Sequence, residues 1–168
     1  MTIGYEATSL EEFFDALAEH SIEVLVDARE NPFSFKRGFS KRPLPDRALS
    51  LGLKYDHRRE LGNPAYIRSE FKSSGDINAA LSQYRHHLET YPAVIQRLRL
   101  DIRGRRAGIM CLERNYKMRH RSVIAEKLED MTRWHPVHLI GKKPQRSLLA
   151  EPIPNRADAT SKQYALEL

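Results

Sequence analysis

Residues 23–41, EVLVDARENPFSFKRGFSK, decide how this chain is read. Ile22, Val24, Leu25 and Val26 form an apolar, largely β-branched run that stops at Asp27, and a polar loop carrying Arg29, Asn31, Lys36, Arg37 and Lys41 follows. Such a run reads as a strand buried on both faces, and open α/β sheets keep their chemistry at the carboxyl ends of their strands. The stretch therefore predicts Asp27 at the floor of a site with the basic loop as one wall. Six Lys or Arg stand between Arg29 and Arg47, against two acids, interleaved with Phe33, Phe35 and Phe39. Phosphates attract the cations and unstacked bases pack on aromatic faces, so the mixture suits a nucleic-acid groove. The plainer alternative makes two of the three phenylalanines core residues and leaves the cations solvated.

Upstream, Met1 to Tyr5 is a short strand. Ser9 followed by Glu12 is a capping box opening a helix from Leu10 to Glu19, whose Leu10, Phe13, Phe14 and Leu17 share one face. With the strand from Glu23 to Asp27 this makes a β-α-β unit. Downstream, Pro45 to Leu51 reads as a helix ended by Gly52, Leu53 to Asp56 as a strand, and His57 to Pro64 as a polar loop. Helical patterns follow from Asp76 to Thr90 and again behind Pro92. Ala107 to Leu112 is a second buried strand ending in charge, then come a helix from Arg121 to Met131 and a strand from Pro136 to Ile140, stopped by Gly141. The alternation predicts an α/β, three-layer single domain over residues 1–141, with a mostly parallel, Rossmann-like sheet of about five strands flanked by helices. Residues 142–168 are polar, interrupted by proline and without period, and read as an extended or disordered tail.

The 168 residues suffice for one sizeable core, and 28 Lys and Arg against 22 Asp and Glu, with a pI near 9.5, are compatible with a polyanionic partner. A lone cysteine, Cys111, excludes an intrachain disulfide and a multi-cysteine zinc site, which fits a reducing compartment with the cytoplasm as default. No run resembles a signal peptide or a membrane span. The histidines show no metal-ligand spacing, so neither metal nor cofactor is expected. Cys111 with His120 as base is a conceivable nucleophile, but a cysteine inside an apolar strand is more often a small buried hydrophobe.

Three strands end in polar clusters: Tyr5-Glu6, Asp27-Ala28-Arg29-Glu30-Asn31 and Glu113-Arg114-Asn115. If they are parallel neighbours, Glu6, Asp27 and Glu113 converge in one crevice. The bland alternative pairs Asp27 and Glu113 with Arg29 and Arg121 to hold loops in place. A second basic group, Arg97 to Arg121, supplies nine cations against two acids and so another wall.

Thr2-Ile3-Gly4-Tyr5-Glu6, Val26-Asp27-Ala28-Arg29, Asn31-Pro32-Phe33-Ser34, Gly38-Phe39-Ser40-Lys41, Leu61-Gly62, Cys111-Leu112-Glu113 and His120-Arg121 together resemble the family known as domain of unknown function 488, from about Thr2 to Ile140. That family resembles base-excising DNA glycosylases, and the resemblance implies, for some members, defence against phages with modified bases. The family often carries a second cysteine before its His-Arg pair; here that position is Arg119, so a role needing two cysteines is closed to this chain.

The expected function is thus a DNA glycosylase that hydrolyses the N-glycosidic bond of a flipped-out, modified base in duplex DNA. An oxocarbenium-like transition state needs a carboxylate, with Asp27 first choice, Glu6 second and Glu113 also in reach. Asn31, His120 and Arg121 are donors for the departing base, with Arg29 beside them, and Tyr5 or Phe33 stacks on it. Lys36, Arg37, Lys41, Arg42, Arg58 and Arg59 hold phosphates. Lys36 or Lys41 is the nucleophile if a Schiff base is used. The alternatives are a non-catalytic nucleic-acid-binding module, or a hydrolase or transferase acting on nucleotides. The absence of a glycine-rich phosphate fingerprint counts against a nucleotide-cofactor enzyme. The sequence fixes no oligomeric state.

Overall fold

A computed structural model of the protein describes residues 1–113, 120–132 and 135–140. The apolar run of the opening stretch is strand β2 (Val24–Asp27), buried along its whole length. In chain order the elements are β1 (Thr2–Gly4), α1 (Leu10–Glu19), β2, α2 (Pro43–Ser50), β3 (Lys54–His57), a 3-10 turn (Arg59–Leu61), α3 (Ala65–Ser74), α4 (Ile77–Thr90), α5 (Pro92–Asp101), β4 (Ala107–Cys111), α6 (His120–Asp130) and β5 (His138–Ile140). The five strands form one sheet, ordered β3-β2-β4-β1-β5, and every adjacent pair is parallel. The α/β reading with a five-stranded sheet holds, and "mostly parallel" becomes wholly parallel. Gly141 and the tail from Lys142, together with Arg114 and Asn115, lie outside the described residues. No helix among the described residues is long and apolar enough to cross a membrane.

The period of two along each strand sorts the core into two layers. Val24, Val26, Ala107 and Ile109 face a cluster built with Ile67, Tyr84, Leu88, Ile95, Leu98, Val123 and Ile124, which come from α3 to α6. Ile3, Leu25 and Met110 face the other cluster, with Phe13, Phe14 and Leu17 of α1 and Leu44 and Ala48 of α2. Asp27 stands in register with Met110 and one residue past Val26, so its side chain belongs to the α1–α2 side. That detail decides its chemistry.

The capping box at α1 is present in both directions: Glu12 N donates to Ser9 Oγ at 3.1 Å and Ser9 N to Glu12 Oε2 at 2.7 Å. Helix α3 is the element that sequence reading missed. Only Ile67 of its ten residues is buried, too little for an apolar stripe. Its boundaries were nonetheless written in the chain, as Pro64 at the entry and Gly75 in the left-handed region (φ 71°) at the exit, where Gly75 N donates to Phe71 O at 2.8 Å.

Candidate active-site cleft at the carboxyl ends of the strands

Connections from β1 and β2 leave toward α1 and α2, whereas that from β4, which lies between them, leaves toward α6. Neighbouring connections that part to opposite faces open a crevice beyond the strand ends. A cleft of about 370 Å³ lies there, lined by Tyr5, Arg29, Glu30, Asn31, Phe33, Asn63, Arg68, Phe71, Leu112, Glu113 and His120. Its volume falls in the roughly 300–1,000 Å³ range of small-ligand sites. A hollow of about 500 Å³ between α1 and β5 is larger, but it lies against the edge strand, away from the three strand ends, and Glu12, Asp15 and Glu19 dominate its rim.

The expectation that Asp27 forms the floor of this cleft is not met. Its side chain is 0% exposed and both carboxylate oxygens are engaged. Arg29 Nε donates to Oδ1 at 2.7 Å, Arg29 Nη2 to Oδ2 at 2.5 Å, and Tyr55 Oη to Oδ2 at 2.5 Å. The same guanidinium donates from Nη1 to Tyr5 Oη (2.9 Å) and to Phe39 O (2.8 Å). Although burial opposes the charge on Arg29, the hydrogen bond and field of Asp27 outweigh it and raise the pKa. The pair thus fastens the start of the basic loop to the sheet. Burial, reinforced by the neighbouring Asp27 charge, also raises the pKa of Tyr55.

The other acids divide. Glu6 is exposed and does not line the cleft; its main-chain carbonyl accepts from Lys36 Nζ at 3.2 Å. Glu113 lines the cleft, on the side of α6 that its spacing from Ile109 and Cys111 dictates. Glu30 also lines it, held by Arg68 at 2.5 Å. Strand ends therefore converge as expected, while their carboxylates part to different faces of the sheet.

Arg121 is not a cleft residue either. Fully buried, it donates from Nη1 to Cys111 Sγ at 3.0 Å and to the Glu113 carbonyl oxygen, bracing the wall from behind. Gly4 leaves room for it, because a Cβ there would overlap both Arg121 Nη1 and the Glu113 carbonyl. Gly62 is needed for the same reason, since a Cβ would run into the Glu30 backbone. His120 does reach the cleft, and because a carbonyl can only accept, its Nε2 donates to Ala28 O at 3.0 Å. Asn63 lines the cleft with a buried Oδ1 that has no hydrogen-bond partner among the described residues.

Of the aromatic residues, Tyr5 is closed off: Phe39 stacks on its ring (centroids 4.3 Å, 8°) and Arg29 lies over it at 5.3 Å. Phe39 is core, whereas Phe33 is 58% exposed and borders the cleft. Only one of the loop's three phenylalanines is thus a core residue. Among the expected phosphate ligands, Lys36 is turned inward, with Nζ donating to Tyr5 O at 2.7 Å; burial lowers its pKa against the pull of Glu12 and Glu6. Arg58 is committed to Asp56 (2.7 Å) and Asp101. Arg37, Lys41, Arg42 and Arg59 remain exposed. Sequence reasoning missed Arg68 and Phe71 because it missed α3.

Cys111, Glu113 and His120 offer ligand atoms within 4.8 Å of one another, a thiol, carboxylate and imidazole set that suits a divalent transition metal. A metal would compete for the sulfur with Arg121, whose charge stands against it. Burial pushes the Cys111 thiol up from 9.0 to about 12, so in the fold it is a neutral thiol and no nucleophile at neutral pH. Tyr84 is shifted upward in the same way by burial. A group whose pKa is raised by folding gives up that stability once the unfolded chain begins to lose its proton, here above about pH 9, and none of it survives above the folded value. The unfolding free energy is therefore expected to fall between pH 8 and pH 10, by up to about 1.4 kcal/mol per pH unit for each fully titrating group, and the urea midpoint with it. An unchanged midpoint would contradict the buried thiol and phenol.

An open, wholly parallel α/β sheet with a ligand-sized cleft at its topological switch point defines the class of the molecule. The chain matches the model of the family described as Domain of unknown function DUF488 over residues 9–128 and belongs to that family. No curated protein and no solved structure matches it.

Proposed function

We propose that the protein is a monofunctional DNA glycosylase that hydrolyses the N-glycosidic bond of an extruded, modified base. The observation that carries the reading is the lining of the cleft, which gathers Glu113, Asn31, Asn63 and the largely exposed ring of Phe33 around one space. A base entering it can stack on Phe33, with the side-chain amides of Asn31 and Asn63 on the walls around it. Glu113 takes the part expected of Asp27: it stabilises positive charge at the anomeric carbon and orients water toward it. The amide of Asn31 donates to the departing base. Arg37, Lys41, Arg42 and Arg59 supply sequence-independent contacts to phosphate. The resemblance to glycosylases extends the proposal to defence against modified-base phages.

The test is incubation with genomic DNAs bearing different base modifications, followed by mass spectrometry of what is released. Free base and an abasic strand are expected, with no adduct trapped by borohydride. Strongly salt-dependent binding without product would instead make the protein a non-catalytic nucleic-acid-binding module, and released nucleotide would make it a nucleotide-directed hydrolase.

A further inference from the structure

Phe35 is 97% exposed, the most exposed large hydrophobic side chain among the described residues. Burial of a phenylalanine is worth roughly 1.5–3 kcal/mol, so one left outside on a yielding loop would fold down onto the nearest apolar surface. Here the loop does not yield. Ser40 Oγ donates to Ser34 O (2.8 Å) and accepts from Ser34 N (3.1 Å), Lys36 N donates to Ser34 Oγ (3.1 Å), and Phe39 N to Lys36 O (3.2 Å). Lys36 Nζ and Arg29 Nη1 tie the same loop to Tyr5 O and Phe39 O, and Gly38 turns it at φ 90°. Among the described residues the one ring touching Phe35 is Phe33, edge-on at 5.0 Å, and Phe33 borders the cleft. Exposed Arg37, Lys41 and Arg42 follow directly.

We infer that Phe35 is a wedge that enters the base stack of duplex DNA beside the cleft and fills the gap left by the nucleotide whose base lies against Phe33. Apolar wedges between base steps are a general way of meeting the cost of unstacking, and the flanking cations supply the phosphate contacts that hold the duplex on the loop. The inference rests on the glycosylase reading for the occupant of the cleft. It does not require that a base be cut.

The experiment uses the full chain and a short duplex with one 2-aminopurine opposite cytosine, a weakly paired fluorescent base that brightens when unstacked. Fluorescence, duplex affinity and released base are measured on the same samples. Wild-type protein is expected to bind and brighten the probe; Phe35→Ala is expected to abolish the brightening and weaken duplex binding about tenfold, with an unchanged melting temperature. Phe35→Trp should restore both signals. Brightening by Phe35→Ala equal to wild type overturns the wedge, as does wild-type binding without brightening or no binding. Brightening that depends on Phe35, with no base released from any modified DNA, leaves the wedge standing and removes the glycosylase.

Discussion

Asparagine at position 27 is expected to lower folding stability by about 3–5 kcal/mol, the range found when one partner of a buried ion pair is removed. Asp27→Asn keeps the shape of the side chain and can still accept from Tyr55. It takes away the charge that Arg29, 7% exposed, faces through two hydrogen bonds. Arginine cannot escape by losing its proton, so the guanidinium stays charged and uncompensated within the protein. Denaturant unfolding should show a lower midpoint at unchanged slope. Removing the charge from both positions, as in Asp27→Asn with Arg29→Gln, should recover part of the loss. A single variant as stable as wild type but inactive would return Asp27 to the reaction and contradict its structural role.

Glu113→Gln is the complementary case. Glutamine preserves volume at a half-buried position and keeps the main-chain carbonyl to which Arg121 donates, and a melting temperature measured alongside separates lost chemistry from lost fold. Base release under single-turnover conditions should drop roughly 10²–10³-fold, the scale for removing one group that meets developing charge, while duplex affinity stays near wild type. A full rate in this variant would take Glu113 out of the mechanism.

How much of this was legible beforehand depends on which physical rule carried the signal. Helix α1 was readable to the residue, because Ser9, Glu12 and the apolar face encode its cap and its burial locally. The parallel sheet followed from alternation of elements. Asp27 was misjudged for a reason also present in the sequence: it shares the period of Leu25, not Val26, and the cleft side of the sheet could be named only once the strand order was known. Lys36 looked like any other cation of the loop, and nothing local announces that its amine reaches Tyr5, 31 positions away. Arg68 and Phe71 lay on a helix whose burial was too slight to produce a pattern, although its proline and glycine punctuation was visible.

The place of β4 at the centre of the sheet has a consequence for biogenesis. Strand β1 pairs only with β4 and β5, so a nascent chain that has not yet emerged past Ala107 gives it no neighbour at all. More than a hundred residues must leave the ribosome before the first and second strands are joined, and they are joined only through the fourth. Such late, long-range closure makes for slow folding and a growing chain with open strand edges. The reward is that arrival of a single strand completes the sheet's centre and brings Glu113 to its place in the same event.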